Sequence, residues 1–412
     1  MMRSQKLRLK LTGEQEQLAW WFSKVSRNYW NLLVDIDKRN NKGEFDEILS
    51  NNGNKTYHSN FYDRDIYILS QMDYLNLAKI VVAKNYEEDN ETWSWYYKPN
   101  QSFIYIFLAR EVGKIRRQNK GRLNFRSIDK AQPRFNVRCD RFTNKRPSRI
   151  YLKDNGKLQI PTLGEVTFGS TRQDFDLSCK KQVATISFDG KYWYLSYTED
   201  VDTQVIELPD YTDGVGVDLG IKTLATVSDG TTVPNIKTFR RVRILEKRLK
   251  RLQRKVSRKY LINKCNKHNK TKNIIKLERQ IKLIHRSLRN IRINHIRKFV
   301  SNLVKQQPEY IAVEDLNVKG MMRNKYLAKD IANCSFYTIK EHLIRKAKER
   351  KISVRLVDRF YPSSKTCSYC GSYKKDLKLK QRVYRCNNCQ EKIDRDLNAA
   401  INLANTDKYV LA

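Results

Sequence analysis

The stretch GVGVDLGIKTLATVSDGTTV, residues 214–233, contains three short runs of β-forming residues, and the first carries a carboxylate, Asp218, between Val217 and Leu219. A carboxylate in such a run is expensive to bury unless a cation or hydrogen-bond donors meet it. Beyond it come a long stretch of helical periodicity, the strand-like run YIAVEDL (310–316) and a helical segment around Phe336 to Arg350. A second strand-like run, ISVRLVD (352–358), and a short helix around Asp396 to Ala404 complete the pattern.

Three strands, helix, strand, helix, strand, helix is the order of an RNase H-like fold. In that order the first strand, the fourth strand and the final helix meet at one end of the sheet, which predicts that Asp218, Glu314 and Asp396 converge. Three carboxylates on rigid elements suit two hard divalent cations, which prefer oxygen ligands. One such ion activates an attacking water and the other stabilises the leaving oxygen of a phosphodiester. The pattern therefore predicts a nuclease with two Mg2+ or Mn2+ ions per site. The neighbouring acids read differently: Asp394 as a helix N-cap or first-turn residue, Asp315 as a strand-end or turn residue, and Asp213 and Asp229 as turn residues.

Before the last helix lie Cys367-Ser-Tyr-Cys370 and Cys386-Asn-Asn-Cys389, separated by 15 residues. This is the C-x2-C…C-x2-C zinc spacing. Four thiolates leave no open coordination position, so the single Zn2+ is expected to be structural and, by folding its insertion, to set the position of Asp396. Cys139, Cys179, Cys265 and Cys334 are scattered, as free thiols in a reducing compartment are.

The chain of 412 residues holds 82 Lys and Arg against 44 Asp and Glu, a formal net charge of +38. Such an excess repels itself unless a polyanion compensates it, which makes nucleic acid the expected partner. Arg240 to Lys298 alone holds 23 Lys and Arg against Glu246 and Glu278. Its apolar residues keep a 3,4 rhythm, Val242, Leu245, Leu249, Leu252 and Val256, then Leu277, Ile281, Ile284, Leu288 and Ile291, with a polar break from Asn263 to Lys272. That predicts an antiparallel helical hairpin with a narrow apolar seam. Balancing glutamates are almost absent, so its basic faces are expected to contact phosphate. An apolar content of 40% excludes general disorder, and no run approaches the roughly 18 apolar residues of a membrane span. The expectation is a cytoplasmic protein, nucleoid-associated when bound to DNA, with no membrane partner.

At the front, KLRLKL (6–11) alternates basic and apolar residues as a half-buried strand does, and Thr12 begins a helix. Helical spacing over 12–130, as in Leu18, Trp21, Phe22, Val25 and Tyr29, predicts a helical domain with a loop over 39–60. Trp93, Trp95, Tyr96 and Tyr97 read as packing residues. From 131 to 208 short alternating runs are punctuated by Asp154-Asn155-Gly156 and Asp189-Gly190, hairpin signals of a small β-barrel or sandwich joined by the N-terminal strand. The expected plan is a multidomain α+β chain. A β-barrel is formed by 1–11 and 131–208, a helical domain by 12–130, and the nuclease domain by 209–362 with its hairpin at 240–298. A zinc ribbon at 363–391, a final helix at 392–405 and a tail at 406–412 follow.

GVDLGIKTLAT (216–226), IAVEDLNVKGM (311–321), DRFYPSSKTCSYCG (358–371), YRCNNC (384–389) and DRDLNAAINLA (394–404) resemble, in order, motifs of the TnpB family. These are transposon-encoded RNA-guided DNA endonucleases related to the type V CRISPR effectors. The resemblance covers roughly the C-terminal half, and the start, LRLKLTGEQEQLAWWFSKVSRNYWN (7–31), is similar more loosely. It implies that Asp218, Glu314 and Asp396 form a RuvC-type catalytic triad and that Cys367, Cys370, Cys386 and Cys389 bind zinc. It also implies a wedge barrel, a helical recognition domain, a guide RNA from the element's own end, and a double-stranded DNA target beside a short flanking motif. A monomer is expected. Gln390 and Ile393 stand where relatives often have Gly and His. The alternatives are a miniature type V CRISPR nuclease with a CRISPR-derived guide, a non-cleaving RNA-guided repressor, which should have lost a carboxylate, and a transposase.

Overall fold

The structure, a computed structural model, describes residues 2–51, 54–59, 62–97, 102–118, 123–127, 131–138, 150–169, 183–200, 213–265, 270–378 and 380–412. The chain divides into two compact units, Met1–Asp202 and Thr203–Ala412. The boundary expected at 208/209, Cys139, Cys179 and the Cys265 side chain lie outside the described residues.

In the first unit the alternation of the opening residues makes the strand Met2–Lys10, with Leu7 and Leu9 buried and Lys6, Arg8 and Lys10 exposed. It sits in the middle of an antiparallel sheet of order Arg134–Arg138, Val183–Phe188, Trp193–Asp200, Met2–Lys10, Gly164–Gly169, Leu158–Ile160, Tyr151–Leu152. Gly156 (φ 72°) and Gly190 (φ 98°) supply the left-handed residues of the expected turns. The helices Gly13–Asn41 and Gln71–Glu88 start with capping boxes, Thr12 with Gln15 and Ser70 with Asp73, each such cap contributing about 1 kcal/mol. Asp37, 3% exposed, pairs with Arg116 of the helix Ser102–Arg117 and accepts the Tyr74 hydroxyl at 2.8 Å. A buried charge needs such partners. Trp93, Trp95 and Tyr96 pack against the core, Tyr96 stacking on Tyr105 at 4.9 Å.

The segment 39–60 is not the loop its Asn and Gly content suggests. The first helix runs to Asn41, a short helix covers Asp46–Ser50, and Thr56–Ser59 pairs with Arg64–Tyr67. The hairpin escapes a periodicity reading because its first strand, TYHS, is almost wholly exposed, and an Asp46–Arg64 ion pair ties it to the short helix.

In the second unit the sheet order is Thr232–Pro234, Thr223–Val227, Val215–Leu219, Tyr310–Glu314, Ser353–Val357, Tyr409–Leu411. The first three strands are antiparallel, and Val215–Leu219, Tyr310–Glu314 and Ser353–Val357 run parallel. The strand Tyr409–Leu411 corrects the expected tail: it pairs Leu411 with Arg355 and Tyr409 with Val357. Three residues are too few for a period to register. The basic hairpin forms from Arg240–Cys265 and Lys272–Lys305, its seam built by Leu245, Leu249 and Leu252 against Ile284, Leu288 and Ile291. Its second arm does not end near Lys298, however. Phe299, Val300, Leu303 and Val304 continue the helix into the core under the sheet, making it the crossover to Tyr310–Glu314. Among the described residues no helix is long and apolar enough to cross a membrane.

The final helix, Arg395–Asn405, packs on the first strand so closely that a Cβ at Gly216 would stand 1.9 Å from the Ala400 carbonyl oxygen and 2.6 Å from the Ala404 nitrogen. Both are backbone atoms and cannot swing aside. Gly216→Ala is expected to lower stability by about 1–3 kcal/mol, read as a clear drop in thermal midpoint. Gly13→Ala, with open space around it, is expected to leave the midpoint near wild type. Equal midpoints for both variants would contradict the close packing.

Candidate active site and metal centre

The pairing of Val217 with Val313 brings Asp218 and Glu314 side by side, one residue further along adjacent parallel strands. They lie at the carboxyl ends of those strands, where open α/β sheets bind ligands. Asp396 arrives from the first turn of the final helix, whose N-cap is Asp394: its Oδ1 accepts from the backbone N–H of Asp396 at 2.9 Å and of Leu397 at 3.1 Å. All three acids are half-buried. Burial, then the charges of Glu314 and Asp396, push the Asp218 carboxyl up to about 7, with Arg395 opposing. Burial also raises Glu314, against the Ser363 hydroxyl that donates to its Oε1 at 2.8 Å. Arg382 Nη1 lies 3.5 Å from Asp396 Oδ1.

The other acids separate from this group. Asp315 pairs with Lys340 at 2.7 Å, Asp229 accepts the Thr231 N–H within its turn at 2.8 Å, and Asp213 is exposed. The structure thus draws three carboxylates toward one end of the sheet, near enough for Asp218 to feel the charges of both others.

The four cysteines are tighter: among the described residues theirs is the group whose ligand atoms all lie within 4.8 Å of one another. Cys367 and Cys389 Sγ are 3.7 Å apart, and Cys370 and Cys386 Sγ 3.6 Å. Zn–S bonds of about 2.3 Å imply a tetrahedral edge of about 3.8 Å, so the quartet fits zinc. The backbone N–H groups of Cys389 and Asn388 pull the Cys386 thiol down to about 6. Cys389 rises, although the Glu391 amide pulls it the other way, because burial and the neighbouring sulfurs disfavour a further thiolate. A dication removes that conflict.

Each knuckle closes with a left-handed residue directly after its second cysteine, Gly371 (φ 71°) and Gln390 (φ 61°). Gln390 thus makes a left-handed turn that glycine would make without cost, at a strain of roughly 1–2 kcal/mol. Ile393, in place of a polar His, is 9% exposed in a small core with Leu377 and Tyr384.

Sequence reading missed three residues that join the two sites. Asn398 donates to the Thr366 carbonyl at 2.7 Å and accepts the Ser368 N–H at 2.9 Å, bracketing Cys367. Asn402 donates to the carbonyls of Ser363 and Thr366 at 2.7 and 2.6 Å. Ser363, held there, contacts Glu314. The available signal was two asparagines four residues apart on the buried face of an Ala- and Leu-rich helix.

Comparison with known proteins gives first a fold, then a set of similar sequences. Over 100% of this chain and 99% of the other, the fold is that of the protein in "Cryo-EM structure of the Cas12f1-sgRNA-target DNA complex", with a TM-score of 0.50 at 12% identity, a mixed α+β architecture. Residues 197–325 match the OrfB_IS605 family, described as "Probable transposase", and 336–403 match the Cas12f1-like TNB domain. A protein of Escherichia coli K12, "Putative RNA-guided DNA endonuclease InsQ", is 29% identical over 305 residues, 70% of this chain and 72% of that one. A Streptomyces pristinaespiralis protein of the same description is 30% identical over 250 residues, and the chain spans 58% of its length. Cas12f1 of Sulfoacidibacillus thermotolerans is 28% identical over 255 residues, 59% of this chain and 58% of that one. Residues 197–325 and 336–403 are thus similar to these two families.

The raised Asp218 gives a pH signature. Without a divalent cation at the carboxylates, the folded chain keeps a proton that the unfolded chain releases near pH 4. Stability therefore falls as pH rises from about 4 to about 7. Asp218→Asn removes that fall. In magnesium-free buffer the variant is expected to melt several degrees above wild type at pH 8 and to match it near pH 4. Superimposable wild-type and variant profiles in thermal unfolding would contradict the electrostatics.

Proposed function

We propose that the chain is an RNA-guided DNA endonuclease of TnpB type, with Asp218, Glu314 and Asp396 as a RuvC-type catalytic site. The observation that carries this reading is the meeting of three carboxylates, from two parallel strands and a helix, at the ligand-binding edge of one sheet. The names of the relatives support it, as does the net charge of +38.

Two Mg2+ or Mn2+ ions held by Asp218, Glu314 and Asp396 would supply an activated water and stabilise the leaving 3′ oxygen. Asp218, which feels both other acids, is the natural shared ligand. Ser363 occupies one face of the Glu314 carboxylate and fixes its orientation, leaving the remaining lone pairs for a cation. Zn2+ on Cys367, Cys370, Cys386 and Cys389 is structural: it braces 363–368, which Asn398 and Asn402 tie to the helix carrying Asp396.

In this reading 1–11 and 131–208 form the wedge barrel, 12–130 the recognition domain, 209–362 with 392–405 the nuclease domain, and 363–391 the target-binding zinc ribbon. Arg248, Arg251, Arg254, Lys255 and Arg258 line one recess on the basic hairpin and neutralise nucleic-acid phosphates. Base pairing between a guide RNA and one DNA strand supplies specificity, while the protein reads duplex shape and a short flanking motif. The protein works as a monomer in the cytoplasm, on nucleoid DNA.

A transposase is the second reading, favoured by the description of the family matched over 197–325; strand-transfer products would distinguish it. The test uses protein purified with its own flanking DNA present in the host. Wild type is expected to carry one structured RNA with a variable end and to cut matching DNA. Asp218→Ala is expected to abolish cutting while RNA and target binding stay within about threefold. Unchanged cutting by the variant would overturn the assignment.

A further inference from the structure

Glu314 pairs across the sheet with Val357, and six residues later Ser363 returns to donate to Glu314. The connecting residues form a fixed turn. Asp358 Oδ1 accepts the Phe360 N–H at 2.7 Å, its carbonyl accepts the Tyr361 N–H at 3.0 Å, and the Tyr361 carbonyl accepts the Ser363 N–H at 2.8 Å. Tyr361 packs with Val357 and Leu403, anchoring the turn from below. Phe360, between these anchors, is 85% exposed and stands next to the exposed Arg359.

Phe360 lies three positions along the chain from Val357 and three from Ser363, so its Cα lies within about 11 Å of either. A nucleotide or two spans that distance. A phenyl ring held in water forgoes the gain of burial, and this backbone is pinned too firmly for the ring to fold inward. Its π face and the adjacent guanidinium match a nucleobase and the phosphate beside it, the pairing that single-strand binding surfaces use. The strong positive charge of the chain selects nucleic acid over an apolar protein partner.

We infer that Phe360 is a stacking platform for one base of the single strand entering the carboxylate site, with Arg359 on the neighbouring phosphate. The inference rests on that site being the phosphodiester-cleaving centre. Phe360 is a positioning residue: it registers the strand so that a chosen phosphate meets Asp218, Glu314 and Asp396.

The test uses the full-length protein and single-stranded DNA carrying 2-aminopurine at successive positions, with calcium replacing magnesium. Wild type and Phe360→Trp are expected to quench the probe at one or two positions. Phe360→Ala is expected to lose that local quench at least fivefold, with an unchanged melting curve because the ring is exposed. Quenching in Phe360→Ala equal to wild type, or no position-specific quench in wild type, overturns the stacking. In magnesium, Phe360→Ala is expected to cleave roughly tenfold more slowly, the size of one lost stack, with Phe360→Trp restoring the rate. The quench decides the stacking whether or not wild type cleaves, and cleavage by wild type separately decides the nuclease reading.

Discussion

Like charges held together at the end of a rigid sheet are the constraint on which the rest of the second unit depends. Neighbouring carboxylates repel one another, and Asp218 feels the charges of both Glu314 and Asp396. Burial first, and then the charges of Glu314 and Asp396, push the Asp218 carboxyl up to about 7, so without cations the group keeps a proton. The fold does not let the acids drift apart. Parallel register fixes Asp218 beside Glu314, the Asp394 cap fixes the turn bearing Asp396, and the absence of a side chain at Gly216 lets that helix seat against the strand.

The two insertions are placed to serve that edge. The basic hairpin is an outgrowth of the crossover between the third and fourth strands, so its second helix is at once a core element and a charged arm. The zinc ribbon interrupts the connection between Ser353–Val357 and the final helix. It passes its rigidity on through hydrogen bonds: the segment around Cys367 is gripped by Asn398 and Asn402, and its first residue, Ser363, reaches Glu314. The four-cysteine cluster and the carboxylate geometry are thereby mechanically linked, although no cysteine belongs to the carboxylate group.

What the sequence disclosed followed from strong, local signals. Alternation exposed the first strand, buried acids within apolar runs exposed Asp218 and Glu314, and spacing alone identified the cysteine quartet that the fold brings within ligand distance of itself. What it hid was set by tertiary context. The polar hairpin at Thr56–Tyr67 has no apolar period, and the edge strand Tyr409–Leu411 is defined only by its partner. Ser363, Asn398 and Asn402 are ordinary polar residues until the chain folds back on itself. At Gln390 a glutamine takes up a left-handed turn that glycine makes more easily, a conformation that its side chain gives no sign of in the sequence.

We propose that Asp218, Glu314 and Asp396 form one divalent-metal centre. Crystals of the full chain grown in manganese and measured at the manganese absorption edge test it directly. The account requires two anomalous peaks about 3.5–4 Å apart, both within bonding distance of these carboxylates and separate from the cysteine quartet. Manganese bound elsewhere, with the three carboxylates free of it at millimolar concentration, would contradict it.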